Sequence, residues 1–543
     1  MLEVSYDALD DHGGRSALFE IRNNMLESQA LHRLLVFSVV AAAFLVRIIS
    51  IWSGYPLVVH PDEHNIVEAA WNIARSGDLN PHLFDYPAFF IYVQALLYTA
   101  VATLERIVSA TSMADWPDVR FYIYSRALNV VISTATIFVV YEIGKRLFNP
   151  WVGLLAMCFI GASHLHMANS IIVSVDSSVA LWSSLSAFMA VLIYTRGERL
   201  RFSLAGGAFA GLAVGSKYTA FLAVLPMIVA HLAGGAQKRR ISRNLLYGLI
   251  AVPAVFFATS PYIVLDFQAF SDAMSFVRGA YSVSHPGADA LASTSYLVYL
   301  KGLAAESYGM APSALALAGM AVLFATERWK AVMLSSFAFA LFLFVGSYRV
   351  YYLRNITAMI PVLSLFSAYA LYVVLDRCRE KLSIVLRPQR LAAAIGALGT
   401  VLIILSVYGQ ASACVHEAYR STLPDTRWIS LNWVRDHIPA GARIGRNFYG
   451  PPIEAYSDAY EISFLSLWGN DPRRPQKLAD LPTLEYLILS SDDYDRFVNH
   501  PGEYPNEHAL YQSFFHKNEL LKEFVPDAKT LSGPTIKIYK TGR

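Results

Sequence analysis

A mainly α-helical, polytopic membrane protein with a small α/β domain at its C-terminal end is the fold class this sequence predicts. Three observations lead there. Of 543 residues, 55% are hydrophobic and only 16% are charged, against about 25% charged in an average soluble domain. Apolar runs of about 20 residues, the length that crosses a bilayer core, recur from residue 32 to residue 410. Beyond that point the pattern changes to short β-like runs between Pro, Gly and Asp turns.

Residues 1–30 are polar and mixed in charge and read as a cytoplasmic N-terminal tail. The membrane domain then occupies 31–410, with eleven candidate spans near 32–53, 123–143, 150–169, 174–194, 203–216, 218–234, 245–262, 308–325, 331–347, 353–375 and 391–410. The run at 88–108 is a twelfth apolar segment, with Glu105 and Arg106 inside it. Five basic clusters set the orientation by the positive-inside rule. They are Lys145–Arg146, Arg196–Arg201, Lys238–Arg243, Arg328–Lys330 and Arg377–Lys381. All five fall inside only if 88–108 lies on, or dips into, the outer face without a full crossing. The N-terminus is then cytoplasmic, and loops 54–122 and 263–307 lie outside with the 411–543 tail. The tail is long enough for one extracytoplasmic α/β domain; Trp428, Leu431 and Val434 suggest a helix at 426–438. Strands are expected at Arg443–Phe448, Tyr486–Ser491 and Thr535–Tyr539.

The net charge of +3 is too small to suggest nucleic-acid binding, and three scattered cysteines make neither a disulfide framework nor a metal-ligand spacing. The stretch richest in chemistry is HPDEHNIVEAAWNIARSGDLNP. Pro61 suits a first helical turn, Asp62 and Glu63 favour the positive end of its dipole, and Gly77 suits its end. Ile66, Ala70, Ile73 and Ala74 repeat at helical spacing, so the segment reads as an interfacial helix. On this topology Asp62, Glu63, Asp85, Tyr86, His164, His166, Asp176, Lys217, Arg349 and Arg354 share the outer side. Cations there suit a phosphate, and a carboxylate suits proton abstraction from a hydroxyl. Each has a plainer role: Asp62, Glu63 and Asp176 as helix-end residues, and the two arginines as headgroup contacts. Lys217, in a tight turn at Gly215-Ser216-Lys217, has no such structural reason to be a cation. Arg47, deep in the first span, needs a polar partner that the sequence does not name.

The chain resembles the polytopic GT-C glycosyltransferases that use polyprenyl-phosphate sugars, in the branch of the protein O-mannosyltransferases and the aminoarabinose transferase of lipid A. The likeness covers about 30–375, carried in order by the acidic HPDEHN segment, FDYPAFFIYVQALLY, the spans from RALNVV to SSVALW, and GAFAGLAVGSKYTAFLAVLP, and a long C-terminal outer tail is also usual in bacterial and archaeal members. Asp85-Tyr86 stands where the aminoarabinose type has a lysine.

This resemblance implies a GT-C architecture and an inverting transfer from a polyprenyl-phosphate donor to a lipid, protein or polysaccharide acceptor at the outer face of the cytoplasmic membrane. Asp62 matches the catalytic carboxylate and would be the general base. Lys217 with Arg349 or Arg354, and Tyr86, would bind the donor phosphate. Glu63 and Asp176 would give polar support, acceptor contact or weak metal ligation. A divalent metal ion, if one is used, falls to Asp62, Glu63 and Asp176. The alternatives are a lipid-linked-glycan transporter or flippase, and an oligosaccharide transferase or ligase using pyrophosphate-linked donors. The sequence separates neither hexosyl from pentosyl transfer nor one acceptor from another.

Overall fold

The computed structural model describes residues 12–109, 118–233, 242–282, 294–465 and 483–542. Lys238, Arg239 and Arg240, and residues 283–293 of the second predicted outer loop, lie outside the described residues. The chain begins with α1 (His12–Ser50), α2 (Pro61–Ser76), α3 (Phe89–Ser109), α4 (Val119–Leu147), α5 (Pro150–Ala162) and the single turn α6 (His164–Ala168). There follow α7 (Val175–Arg196), α8 (Leu200–Ser216), a 3-10 turn at Tyr218–Val224, α9 (Leu225–Leu232) and α10 (Arg243–Thr259). Next come α11 (Tyr262–Leu265), α12 (Phe267–Ser282), α13 (Tyr296–Gly302), α14 (Met310–Thr326) and α15 (Arg328–Gly346). A 3-10 turn at Leu353–Met359 leads into α16 (Ile360–Leu382), and α17 (Pro388–Arg420) ends the helical bundle.

Six of these helical segments are long and apolar enough to cross a membrane: Gln29–Ser50 of α1, α4, α7, α15, the continuous Leu353–Leu382, and α17. Five segments, α5, α8, Tyr218–Leu232, α10 and α14, are apolar but shorter. Each lies on one of the predicted runs, because a bilayer fixes the length of an apolar helix and hydropathy reads that length directly. The buried core joins α4, α5, α7, α8, α9 and α14–α16 through residues such as Val140, Ile160, Ala190, Ala213, Met227, Leu334 and Leu365. The glycines of α8 make its tight seam with α10: a Cβ on Gly207 would lie 1.9 Å from the Gly248 carbonyl oxygen. Only a residue without a side chain allows that approach, as in small-residue packing between membrane helices.

The expected interfacial helix is α2. Pro61 opens it, and Gly77 closes it with φ 76°, a left-handed cap that suits glycine. Its apolar face, Ile66, Ala70 and Ile73 with Trp71, packs against Phe90, Ile91 and Tyr98 of α3 and Phe121 of α4. That burial fixes the roll of α2 and so the direction of its first turn.

The C-terminal region is an α/β domain. It holds α18 (Thr426–His437), β1 (Arg443–Asn447), β2 (Glu461–Leu465), β3 (Tyr486–Ser490), α19 (Ser491–Val498), α20 (Pro505–Lys517), β4 (Glu519–Phe524) and β5 (Ile536–Lys540). The sheet order is β2-β1-β3-β5-β4. β1 runs parallel to β2 and β3, while β5 is antiparallel to β3 and β4. Side chains alternate between faces as strand geometry requires: Ile444, Ile488 and Ile538 pack with α18, whereas Leu487, Leu489 and Tyr539 pack with α19 and α20. β1, β3 and β5 fall on the three predicted runs; β2 and β4 are additional. Leu57, in the segment between α1 and α2, packs against the α18 side of this domain.

Candidate active site

Three first turns and one irregular link bring the site together. Asp62 lies in the first turn of α2, and Asp176 in the first turn of α7, where the Ser174 hydroxyl accepts from the Asp176 backbone N–H at 3.2 Å. Lys217 is extended (φ −153°, ψ 129°) between α8 and the following 3-10 turn. Arg354 comes from the 3-10 turn ahead of α16. The Arg354 guanidinium donates to Asp62 Oδ2 in an ion pair that links residues 292 apart in sequence. Lys217 Nζ donates to Asp176 Oδ1 and to Asn355 Oδ1, both at 2.8 Å. Asn355 Nδ2 in turn donates to the Tyr299 hydroxyl at 3.3 Å. Arg354 also stacks over the Tyr352 ring, 4.8 Å from its centroid.

Between these groups lies a cavity with about 230 Å³ of empty space, walled by His60, Asp62, Tyr86, Ser174, Asp176 and Arg354 among others.

The electrostatics follow from the crowding. Burial opposes the charged form of Asp62, but Arg354, with His60 and Lys217 behind it, outweighs that and holds the carboxyl below its usual range. Burial pushes the Tyr86 hydroxyl up, so it stays a neutral donor. Burial lowers His60, against the pull of Asp62 and Glu63. Tyr449, from the C-terminal domain, lies near enough to feel the charge of Asp62 and has Arg496 over its ring at 4.8 Å.

Of the residues expected from sequence, Asp62, Asp176, Lys217, Arg354 and Tyr86 gather here. Glu63 does not line the cavity. It is fully buried and takes a two-pronged ion pair from Arg126, at 2.7 and 2.6 Å, plus the Val173 backbone N–H at 2.9 Å. A carboxylate so occupied does not join Asp62 and Asp176 as a ligand, and the described residues hold no group of three His, Cys, Asp or Glu that could bind a metal ion. Arg349 is exposed, outside the cavity wall. His166 faces inward: Arg47 Nη2 and the Ser133 hydroxyl both lie 3.3 Å from its Nδ1. Arg47 also donates to the Ala43 and Gly161 carbonyls at 3.0 and 3.2 Å, which supplies the partners the sequence left unnamed. His60, Asn355, Tyr299 and Arg126 were not singled out from sequence. The one signal available was the nearness of His60 and Asn355 to Asp62 and Arg354.

Residues 124–264 match the family described as dolichyl-phosphate-mannose-protein mannosyltransferase. The matched stretch contains Arg126, Asp176 and Lys217 but neither Asp62 nor Arg354. The chain is similar to the structure of ArnT from Cupriavidus metallidurans bound to undecaprenyl phosphate, with a TM-score of 0.53 and 14% identity over 93% of this chain and 97% of that one. It is also similar to the oligosaccharyltransferase AglB from Archaeoglobus fulgidus in complex with an inhibitory peptide and a dolichol-phosphate. There the TM-score is 0.50, with 14% identity over 88% of this chain and 72% of that one. The chain has the GT-C fold. No curated protein sequence matches it. Within the GT-C fold, the helical bundle carries the cavity and the small sheet domain sits against its α1–α2 segment through Leu57.

Proposed function

We propose that this protein is an inverting glycosyltransferase that moves a sugar from a polyprenyl-phosphate donor to an acceptor. The observation that carries the reading is the Asp62–Arg354 pair across a cavity beside Lys217 and Asp176, in a GT-C fold. The ArnT and AglB structures hold polyprenyl phosphates, which supports a donor of that class.

The sequence of events follows from the charges. The donor phosphate takes Arg354 and Lys217 as its counter-ions, with Tyr86 as a further hydrogen-bond donor. Asp62 then loses the cation that held its carboxyl low, so the same event that binds the donor makes Asp62 a better base. An acceptor hydroxyl gives its proton to Asp62 while its oxygen attacks the anomeric carbon from the face opposite the phosphate. The C–O bond to the phosphate breaks, its electron pair stays on the phosphate oxygen, and the configuration inverts. Stabilising that growing charge is worth a few kcal/mol per donor.

The site faces outward in this reading. α7 is 22 residues long, about 33 Å at 1.5 Å per residue, so Asp176 and Arg196 are at opposite ends of the bundle. Arg196, Arg199 and Arg201 mark the cytoplasmic end by the positive-inside rule, and the cavity with the C-terminal domain is at the other.

The test is sugar transfer in membranes from radiolabelled polyprenyl-phosphate sugars, wild type against Asp62→Asn. A loss of about 10²–10⁴-fold is expected for a general base. Equal transfer in both removes Asp62 from that role. Transfer from pyrophosphate-linked donors alone moves the protein to the oligosaccharide-transferase class, and transfer from neither returns the transporter reading.

A further inference from the structure

We propose that His60 is a contact for the transferred sugar, exchanging hydrogen bonds with one of its hydroxyls; this rests on the glycosyl-transfer reading above. His60 is the N-cap residue of α2, yet its side chain makes no capping hydrogen bond. Histidine is also not among the Ser, Thr, Asp and Asn that serve that position well. Helix capping therefore does not account for it. His60 lines the cavity with Asp62 and Arg354, and its Nδ1 is buried without a hydrogen-bond partner. Buried polar atoms are nearly always satisfied, so an orphan in a cavity wall marks a bond that a ligand completes.

The chemistry of the wall selects which part of the ligand that is. Asp62 and Asp176 accept hydrogen bonds, and Arg354 only donates. A neutral imidazole does both, one at each ring nitrogen. Burial holds the ring below the ordinary histidine range, which keeps it neutral at pH 7. A sugar hydroxyl also donates and accepts. A phosphate oxygen only accepts, and cationic Arg354 and Lys217 match it better. His60 thus complements a hydroxyl of the sugar, next to the carboxylate that handles the acceptor.

The test is binding to the purified full chain in nanodiscs of two probe types: bare polyprenyl phosphate, and polyprenyl phosphates bearing mannose, glucose or arabinose. Wild type should bind at least one sugar-bearing lipid more tightly than the bare one. His60→Ala should weaken binding of that lipid about tenfold, the order of one hydrogen bond, and leave bare polyprenyl phosphate within about twofold. His60→Gln, which keeps a donor and an acceptor, should restore part of the loss. Equal weakening on both probes, no weakening on either, or wild-type binding indifferent to the sugar overturns the assignment. A wild type that binds neither probe, with Arg354→Ala no different, overturns the glycosyl-transfer reading itself.

Discussion

Asp62 and Glu63 are chain neighbours, each paired with an arginine from a distant helix or turn, and their surroundings differ completely. The Asp62–Arg354 side chains are 30% and 28% exposed and border the cavity. The Glu63–Arg126 side chains are 0% and 3% exposed. Arg126 also donates to the Ile51 and Ser53 carbonyls at 2.8 and 2.9 Å, so that pair ties α4, α2 and the end of α1 together. Consecutive residues in a first helical turn point about 100° apart, at 3.6 residues per turn. One therefore faces the cavity and the other the packing behind it. A partly wet pair contributes little to stability and can open for a ligand; a dry pair with every oxygen engaged cannot be broken without cost.

The largest effect that would break this contrast is the pair of single substitutions. Asp62→Asn should abolish transfer by about 10²–10⁴-fold while the thermal midpoint stays within a few degrees. Glu63→Ala should instead cost about 3–5 kcal/mol of stability by leaving Arg126 buried and unpaired, seen as a lower midpoint in detergent. A Glu63 variant that folds normally and loses only activity would erase the distinction.

Next comes the double replacement. Glu63→Leu with Arg126→Met should recover much of the stability lost in Glu63→Ala, because apolar substitutes for a buried ion pair are often neutral. Asp62→Leu with Arg354→Met should recover no transfer at all.

A smaller effect is expected in the pH profile. Arg354 keeps the Asp62 carboxyl below its usual range despite burial. In Arg354→Met the burial remains and its strongest counterweight is gone, so the carboxyl rises. The acid limb of kcat/KM, set by loss of the ionised base in the free enzyme, should move to higher pH than in wild type. A limb that stays in place would mean Asp62 does not titrate in it. The smallest expected change is Arg349→Ala, which should leave transfer within about twofold; a large loss would bring Arg349 back to the phosphate.

Much of this was legible in the chain, and the reason lies in length scales. Spans follow from runs of apolar residues, and α2 from Pro61, Gly77 and a four-residue spacing, all local properties. Lys217 stood out because a tight turn after Gly215 needs no cation. The choice between Arg349 and Arg354 was not legible: they are five residues apart, and only the 3-10 turn at Leu353–Met359 aims one of them at Asp62. The Glu63–Arg126 bond spans 63 residues and the Arg47–His166 contact 119, so both depend on which helices pack together. β2 and β4 lie at the two sheet edges, where among the described residues one side of the strand has no neighbour and the apolar pattern is correspondingly weak.

Leu57 reaches into the C-terminal domain only five residues before Asp62, with His60 in between. Five residues extend at most about 18 Å, so the sheet domain can lift away from the α2 end by more than that only by giving up its contact with Leu57. The sheet domain and the cavity's rim are thus joined by the same short stretch of chain that leads into Asp62.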